Sequence, residues 1–395
     1  MKKCSSSTIP ILTMSVWWVN WDTNYGSLFQ AYALQTIVKK LGHEPTWIQH
    51  CIQEDDSIEK KISSYFSMIY RALRWPIRLF GRRKRKKLSD SFRRDHPRYF
   101  EEFIAQHLNV AKVCCKSLHD LEQLYKRVGC AIVGSDQMWI SPAKQNFLSF
   151  IPEGKRIAYA VSAPWEGCGY AWRRAAMEEL PKFASISVRE KQGVELLHKL
   201  GMKDAVQCLD PVFLLEVDEW NELANQEGNK HEKGQYCLGY FLNGYKKEDV
   251  FLSSIEEYCE KKQLELVIVP NQGAECYLPA KYLETPSPSA FLALFRDAAC
   301  VVTNSFHAVV FSIIFRKRFV IVPQLRERRY QNTRFESLLD TLQIPRRVIS
   351  NSEKLSERLD DEIDYDKVWD MINNNRELSI SFLRSGLEKC CNYEL

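Results

Sequence analysis

The 395-residue chain has no CxxC pair, no HxxxH pair and only eight dispersed histidines, so the usual spacings of zinc sites are missing. No metal requirement is expected. Its thirteen cysteines follow no repeated spacing. Cys114-Cys115 and Cys390-Cys391 are adjacent, while Cys130, Cys208, Cys237 and Cys300 fall in apolar strands. A disulfide framework is excluded, and thiols acting as small hydrophobes point to a reducing, cytoplasmic setting. No run of about 18 apolar residues occurs, which excludes a membrane-spanning helix. The segment Ile9 to Val19 is short, is broken by Ser15 and lacks a small-residue cleavage site, so a first core strand is expected there instead of a signal peptide. Short-period repeats are absent, and one basic run is the only compositionally biased tract. A net charge of +5 matters only locally.

What is present is an ordinary globular balance, 45% hydrophobic and 27% charged, over a length that suits two domains. Strand and helix patterns alternate twice. The first series starts with the strand at Ile9, a helix from Tyr25 stopped by Gly42, and a strand at Thr46 to Gln49. It resumes with strands at Cys130–Val133, Arg156–Val161, Ser185–Val188 and Ala205–Cys208 and the helices between them. The second runs from a strand at Gln235–Leu242 to one at Phe319–Val322. Polar residues from Trp220 to Gly234 are expected to connect the domains. The expected fold is α/β, with two Rossmann-like domains facing across a cleft. Residues 1–210 form the first, carrying a basic helical insertion at about 54–100. Residues 211–395 form the second, ending in a helical tail.

The stretch Cys300-Val301-Val302-Thr303-Asn304-Ser305-Phe306-His307, followed by the apolar run Ala308 to Phe315, reads as strand, tight turn and buried helix. In parallel sheets ligands sit at the carboxyl ends of strands, and a helix start there favours an anion. His307 would stand beside that anion with a proton to give. Other strand-to-helix turns carry polar residues of the same kind: Asn24-Tyr25-Gly26, Gly134-Ser135-Asp136-Gln137 and Ser187-Val188-Arg189-Glu190, with Asn332-Thr333-Arg334 before the last helix of the second series. Taken singly, Asn24, Ser135 and Asn304 read equally as helix caps, Asp136 as a turn residue and Arg189 as a solvated charge. Their joint placement at one edge of two sheets favours a site.

At these residues the sequence resembles the polysaccharide pyruvyl transferase family. The resemblance includes Asn24-Tyr25-Gly26-Ser27, Val133-Gly134-Ser135-Asp136-Gln137-Met138-Trp139, Ile186-Ser187-Val188-Arg189-Glu190, Leu209-Asp210-Pro211, Thr303-Asn304-Ser305-Phe306-His307 and Asn332-Thr333-Arg334. It covers roughly residues 10 to 345. It implies transfer of the pyruvyl carbons of phosphoenolpyruvate, a co-substrate and not a cofactor, onto two hydroxyls of a sugar or lipid-linked glycan precursor. It also implies a fold similar to B-type glycosyltransferases. His307 then becomes the general acid and Asp136 the base, ahead of Asp22 and Glu190. Arg189, Asn304, Ser305 and Arg334 become donor-binding residues, and Asn24, Tyr25, Gly26, Ser135 and Gln137 acceptor-binding ones. In one respect the chain departs from the family pattern. Ser305 stands where relatives carry an arginine two residues before the histidine, leaving Arg334, Arg316 or Arg318 to substitute.

Residues 71 to 98 hold twelve Lys or Arg against two Asp. A solvated charge run is one reading. Aromatic and aliphatic residues from Tyr65 to Phe80 support another, a basic amphipathic segment of about residues 65–98 lying on an anionic membrane surface. No nucleic-acid-binding fold accompanies the patch. Two alternatives to pyruvyl transfer stay open: a nucleotide-sugar-dependent glycosyltransferase on the same fold, and a non-catalytic glycan- or membrane-binding relative.

Overall fold

The computed structural model describes residues 10–14, 24–48, 91–92, 94–111, 118–126, 128–242, 251–271, 277–322, 332–349 and 354–392. Most of the expected basic insertion, and Asp22, lie outside the described residues.

The first series contains β1 (Pro10–Met14), α1 (Tyr25–Lys40), β2 (Glu44–Trp47), α2 (Phe100–His107), α3 (Leu118–Tyr125), β3 (Cys130–Val133), β4 (Arg156–Val161), α4 (Tyr170–Glu179), β5 (Ser185–Val188), α5 (Lys191–Lys199) and β6 (Val206–Gln207). Its strands make one sheet in the order β2-β1-β3-β4-β5-β6, and every pairing is parallel. The second series contains α6 (Val217–Asn225), β7 (Tyr236–Phe241), α7 (Leu252–Lys262), β8 (Glu265–Pro270), α8 (Pro288–Asp297), β9 (Cys300–Thr303), α9 (Phe306–Ile314), β10 (Arg318–Ile321) and α10 (Asn332–Thr341). Its sheet runs β10-β9-β7-β8, again all parallel. Two helices, α11 (Leu355–Asp360) and α12 (Tyr365–Asn392), finish the chain. Strands β3, β4, β7 and β9 are buried at every residue, the pattern of a parallel sheet covered on both faces.

Two expectations about organisation change. The stretch after Leu215 is not irregular from Trp220. Glu216 and Glu219 form a reciprocal cap that starts α6, and Trp220, Leu223 and Ala224 are buried on its inner face. Polar neighbours hid this helical spacing, and the connection shortens to residues 226–235. The helical tail, expected to belong with the second domain, divides between the halves: α11 packs on β10 and Tyr365, which opens α12, donates to the Lys317 carbonyl, while the later turns of α12 lie against the first sheet. Leu209 donates its N–H to Ser379 Oγ at 3.0 Å, and Lys155 Nζ donates to the Cys390 carbonyl at 2.6 Å. Gly386 lies so close to Ile157 and Ser185 that an added Cβ would meet them at 3.3 and 3.4 Å. The buried stripe of α12, including Val368, Ile372, Leu383 and Leu387, does not reveal in sequence which sheet it will cover.

Both halves share a core. Phe29 of α1 meets Trp220 of α6 edge-on at 5.8 Å and Phe311 of α9 at 5.2 Å, and Trp220 meets Phe311 at 5.2 Å. Such aromatic pairs contribute about 0.5–1.5 kcal/mol each beyond burial of their area. Helix α9 is buried at all nine residues, so it is an internal helix and not a surface one. This packing brings the start of α1, after β1, against the start of α9, after β9.

Candidate active site

His307 occupies the first turn of α9, capped by Ser305, whose Oγ accepts the Ala308 N–H at 3.5 Å. Its ring lies against the start of α1. A Cβ on Gly26 would fall 2.2 Å from His307 Nδ1, so only glycine lets the two helix starts approach this closely. On the other edge, His307 Nε2 lies 3.3 Å from Asp210 Oδ2. That contact is an ion pair only when the imidazole carries its second proton; it misses hydrogen-bond alignment, and Nε2 makes no other hydrogen bond. The histidine expected from the sequence is therefore buried, oriented, and has an uncommitted donor direction.

Asp210 is the residue the sequence reading left without a role. It follows β6, and its side chain is completely buried. It accepts from Arg189 Nη1 at 2.7 Å, Ser135 Oγ at 3.2 Å and the Val212 N–H at 3.1 Å. Burial alone would raise its pKa; His307, Arg189 and the Val212 N–H outweigh burial and hold the carboxyl well below the usual carboxylate range. The signal was available in Leu209-Asp210-Pro211, where Pro211 starts a short 3-10 turn that the Asp210 carboxylate caps.

Arg189, at the exit of β5, stands in a cage of acids. Nε donates to Glu190 Oε1 at 3.2 Å, Nη1 to Asp210, and Nη2 lies 4.0 Å from Asp136 Oδ1. Burial disfavours its charge, but Glu190, Asp210 and Asp136 raise its pKa above the ordinary arginine value. Its face lies over the Phe306 ring, 3.9 Å from the centroid. The expected free bidentate fork is thus not available: only Nη2 lacks a hydrogen-bond partner. Arg334, in the first turn of α10, lies 5.8 Å from the same Phe306 centroid. The cavity that these two arginines share with Asp210 and Phe306 measures about 20 Å³, the room of one water and not of an organic anion.

Asp136 follows β3 with φ +65°, a left-handed conformation that Asp tolerates better than most residues. Its Oδ2 accepts from Ser27 Oγ at 3.1 Å, which ties it to α1. Gly134, with φ +129°, brings the same turn so close to β4 that a Cβ would meet the Tyr159 carbonyl oxygen at 2.0 Å. Glu190 is fully engaged, accepting from Ser162 Oγ and Trp165 Nε1 at 2.7 Å each. Gln137 is buried with its amide nitrogen unpartnered.

Several residues expected to contact ligands also hold the framework. Tyr25 is fully buried, stacks on Phe291 at 4.0 Å and donates to the Pro286 carbonyl at 2.5 Å, so its hydroxyl serves the packing of the two halves. Asn24 caps α1 by accepting the Ser27 N–H at 3.2 Å. Ser135 is buried between Asp210 and the Ala160 carbonyl, to which Oγ donates at 2.9 Å, while its N–H donates to Gln30. Asn304 Oδ1 accepts the Leu242 N–H at 2.7 Å, bracing β7 to β9, and Ser305 is spent on the cap. Arg316 and Arg318 lie at the far end of α9 and at the start of β10; Arg316 pairs with Asp366 at 2.9 Å. Neither can replace the arginine missing beside His307.

Two parallel sheets joined through one core, with the C-terminal helix crossing back, define the architecture of B-type glycosyltransferases and sugar-nucleotide epimerases. The chain is similar to UDP-N-acetylglucosamine 2-epimerase from Rickettsia bellii (TM-score 0.56, 8% identity, covering 97% of each chain). It is also similar to the epimerase from Methanocaldococcus jannaschii (TM-score 0.51, 9% identity, 90% of this chain and 92% of that one) and to the glycosyltransferase of kitacinnamycin (TM-score 0.51, 12% identity, 97% and 99%). At such identities the likeness concerns fold alone. The polysaccharide pyruvyl transferase family matches residues 24–324, most of the chain. The chain belongs to that family and is a transferase. No curated protein matches it.

Proposed function

We propose that this transferase moves the pyruvyl group of phosphoenolpyruvate onto two hydroxyls of a sugar or glycan precursor in polysaccharide biosynthesis. The observation that carries the reading is His307: a buried imidazole at a helix start, with Nε2 3.3 Å from the Asp210 carboxylate and outside any aligned hydrogen bond. Protonation of the donor methylene by His307 makes the methyl group and leaves C2 electrophilic. One sugar hydroxyl adds to C2 and gives up its proton to a base, for which Asp136 is the candidate. The C2–O bond to phosphate breaks, inorganic phosphate leaves, and the second hydroxyl closes the ketal. Of the two hydroxyl protons, one replaces that given by His307 and the other leaves with phosphate.

Asp210 acts through His307 as a positioning residue, since it also anchors Arg189 and Ser135. Gln137, with its unpartnered amide, is the candidate for contact with the acceptor. The test is ligand-induced stabilisation followed by turnover in heavy water. Phosphoenolpyruvate raises the melting temperature, and the new methyl group carries solvent deuterium. Stabilisation by a nucleotide sugar instead would assign the fold to glycosyl transfer.

No described helix is long and apolar enough to cross a membrane. A lipid-linked acceptor would bring the enzyme to an anionic surface through residues 65–98. Co-sedimentation with anionic but not zwitterionic vesicles, weakening as salt rises, is the expected result.

A further inference from the structure

The proposed reaction leaves a polyanionic donor without the cation that Ser305 replaces, and the acid cage of Arg189 repels one. A different arginine reaches the carboxyl edge of the second sheet. Arg98 belongs to the first half, just before α2, yet its Nη2 donates to the carbonyl of Pro270, the last residue of β8, at 2.5 Å. Its Cζ lies 5.5 Å from the centre of the Tyr25 ring. Arg98 is only 7% exposed, its Nη1 is buried without a hydrogen-bond partner, and among the described residues no carboxylate pairs with it.

A second orphan donor stands at the same ring. Tyr240 of β7 is 1% exposed and meets Tyr25 edge-on at 6.1 Å, and its hydroxyl is buried without a partner. Buried donors are nearly always satisfied, and a buried guanidinium nitrogen is among the costliest to leave unpaired. Two of them, one cationic, belong to residues packed around Tyr25, the neighbour of Gly26, against which His307 lies.

Resting on the transfer reading above, we infer that Arg98, with the Tyr240 hydroxyl, holds the phosphate of phosphoenolpyruvate in place of the arginine missing beside His307. Strand order supports the distance. β7 lies between β8 and β9, so Pro270 and Thr303 are two strand spacings apart, about 10 Å. A three-carbon phosphate ester, hydrogen-bonded to Arg98 through its phosphate, reaches across that interval with its methylene carbon toward His307.

The test is calorimetric titration of the full chain with phosphoenolpyruvate and with inorganic phosphate, for wild type, Arg98→Gln, Arg98→Lys and Tyr240→Phe. Arg98→Gln is expected to weaken both ligands about 10- to 100-fold, Arg98→Lys less, and Tyr240→Phe about 3- to 10-fold. If wild type binds phosphoenolpyruvate and these variants bind it equally well, the assignment of Arg98 falls while pyruvyl transfer stands. Phosphate binding that depends on Arg98, without phosphoenolpyruvate binding, keeps the anion site and overturns the donor. Binding of neither overturns both. Should Arg98→Gln fail to fold, Tyr240→Phe decides, because removing one unpartnered hydroxyl leaves the packing intact.

Discussion

Two buried arginines flank the start of α1, and they differ in company. Arg189 is surrounded by Asp136, Glu190 and Asp210, so one guanidinium faces three carboxyl groups. Arg98 has a backbone carbonyl and an aromatic face and, among the described residues, no acid. Any anion placed at Arg189 meets a locally negative cage; at Arg98 it meets a cation that no carboxylate pairs among the described residues. Sequence alone ranks Arg189 first, since it sits at a strand exit in a family motif. Position at the sheet edge is thus a weaker guide to ligand contact than the number of partners an arginine already has. Arg189 holds Glu190 and Asp210 together, and Arg98 keeps an unpartnered Nη1 with no described acid beside it.

The largest expected effect belongs to the residue between these two regions. His307→Gln keeps polarity and removes the titratable proton, so kcat falls about 10²–10⁴-fold while donor affinity changes little. Normal turnover in that variant, with normal deuterium incorporation, would make the histidine structural and collapse both regions into packing.

Asp210→Asn breaks the framework side. Removing one partner of a buried ion pair destabilises by about 3–5 kcal/mol, measured by denaturant unfolding. The pH dependence has a definite sign. Because the folded carboxyl lies below its unfolded value, its stabilisation is complete above that unfolded value, about pH 4, and is lost as pH falls through the folded one. Wild-type stability should therefore decline with acidification below about pH 4, and the variant should lack that part of the slope.

Arg189→Lys sharpens the contrast directly. Lysine keeps a charge but cannot donate at once to Glu190 and Asp210, and charged hydrogen bonds are worth about 1.5–3 kcal/mol. The melting temperature should drop, while the donor KM shifts by less than about threefold, against the larger shift expected at Arg98. A donor KM raised tenfold at unchanged stability would restore Arg189 to the ligand.

The alternation of strands and helices was legible because parallel strands such as Val301-Val302 and Ile132-Val133 are continuous apolar runs. His307 was legible because its turn follows such a strand. Asp210 was visible only as part of a motif, since its importance comes from Arg189, Ser135 and His307, residues 21 to 97 positions away in the chain. Arg98 was hidden inside a basic run whose other members give no reason to single it out. Tyr25, Asn304 and Ser305 look like ligand contacts in sequence because polar groups at a strand exit serve caps and sites alike; their hydrogen bonds to Pro286, Leu242 and Ala308 are visible only in the fold.

Tyr25→Phe gives the smallest and most discriminating effect. The ring keeps its contacts with Phe291 and Arg98, and the hydrogen bond to the Pro286 carbonyl is lost. A buried carbonyl deprived of its donor costs about 1–3 kcal/mol, so unfolding should shift modestly to lower denaturant. Both KM values should stay at wild type, because the hydroxyl faces the second half of the protein and not a ligand. An acceptor KM that rises in Tyr25→Phe at unchanged stability would return Tyr25 to the acceptor site. It would also place the sugar on the Arg98 side of α1, where the donor phosphate is assigned, and the two arginines would then have to exchange roles.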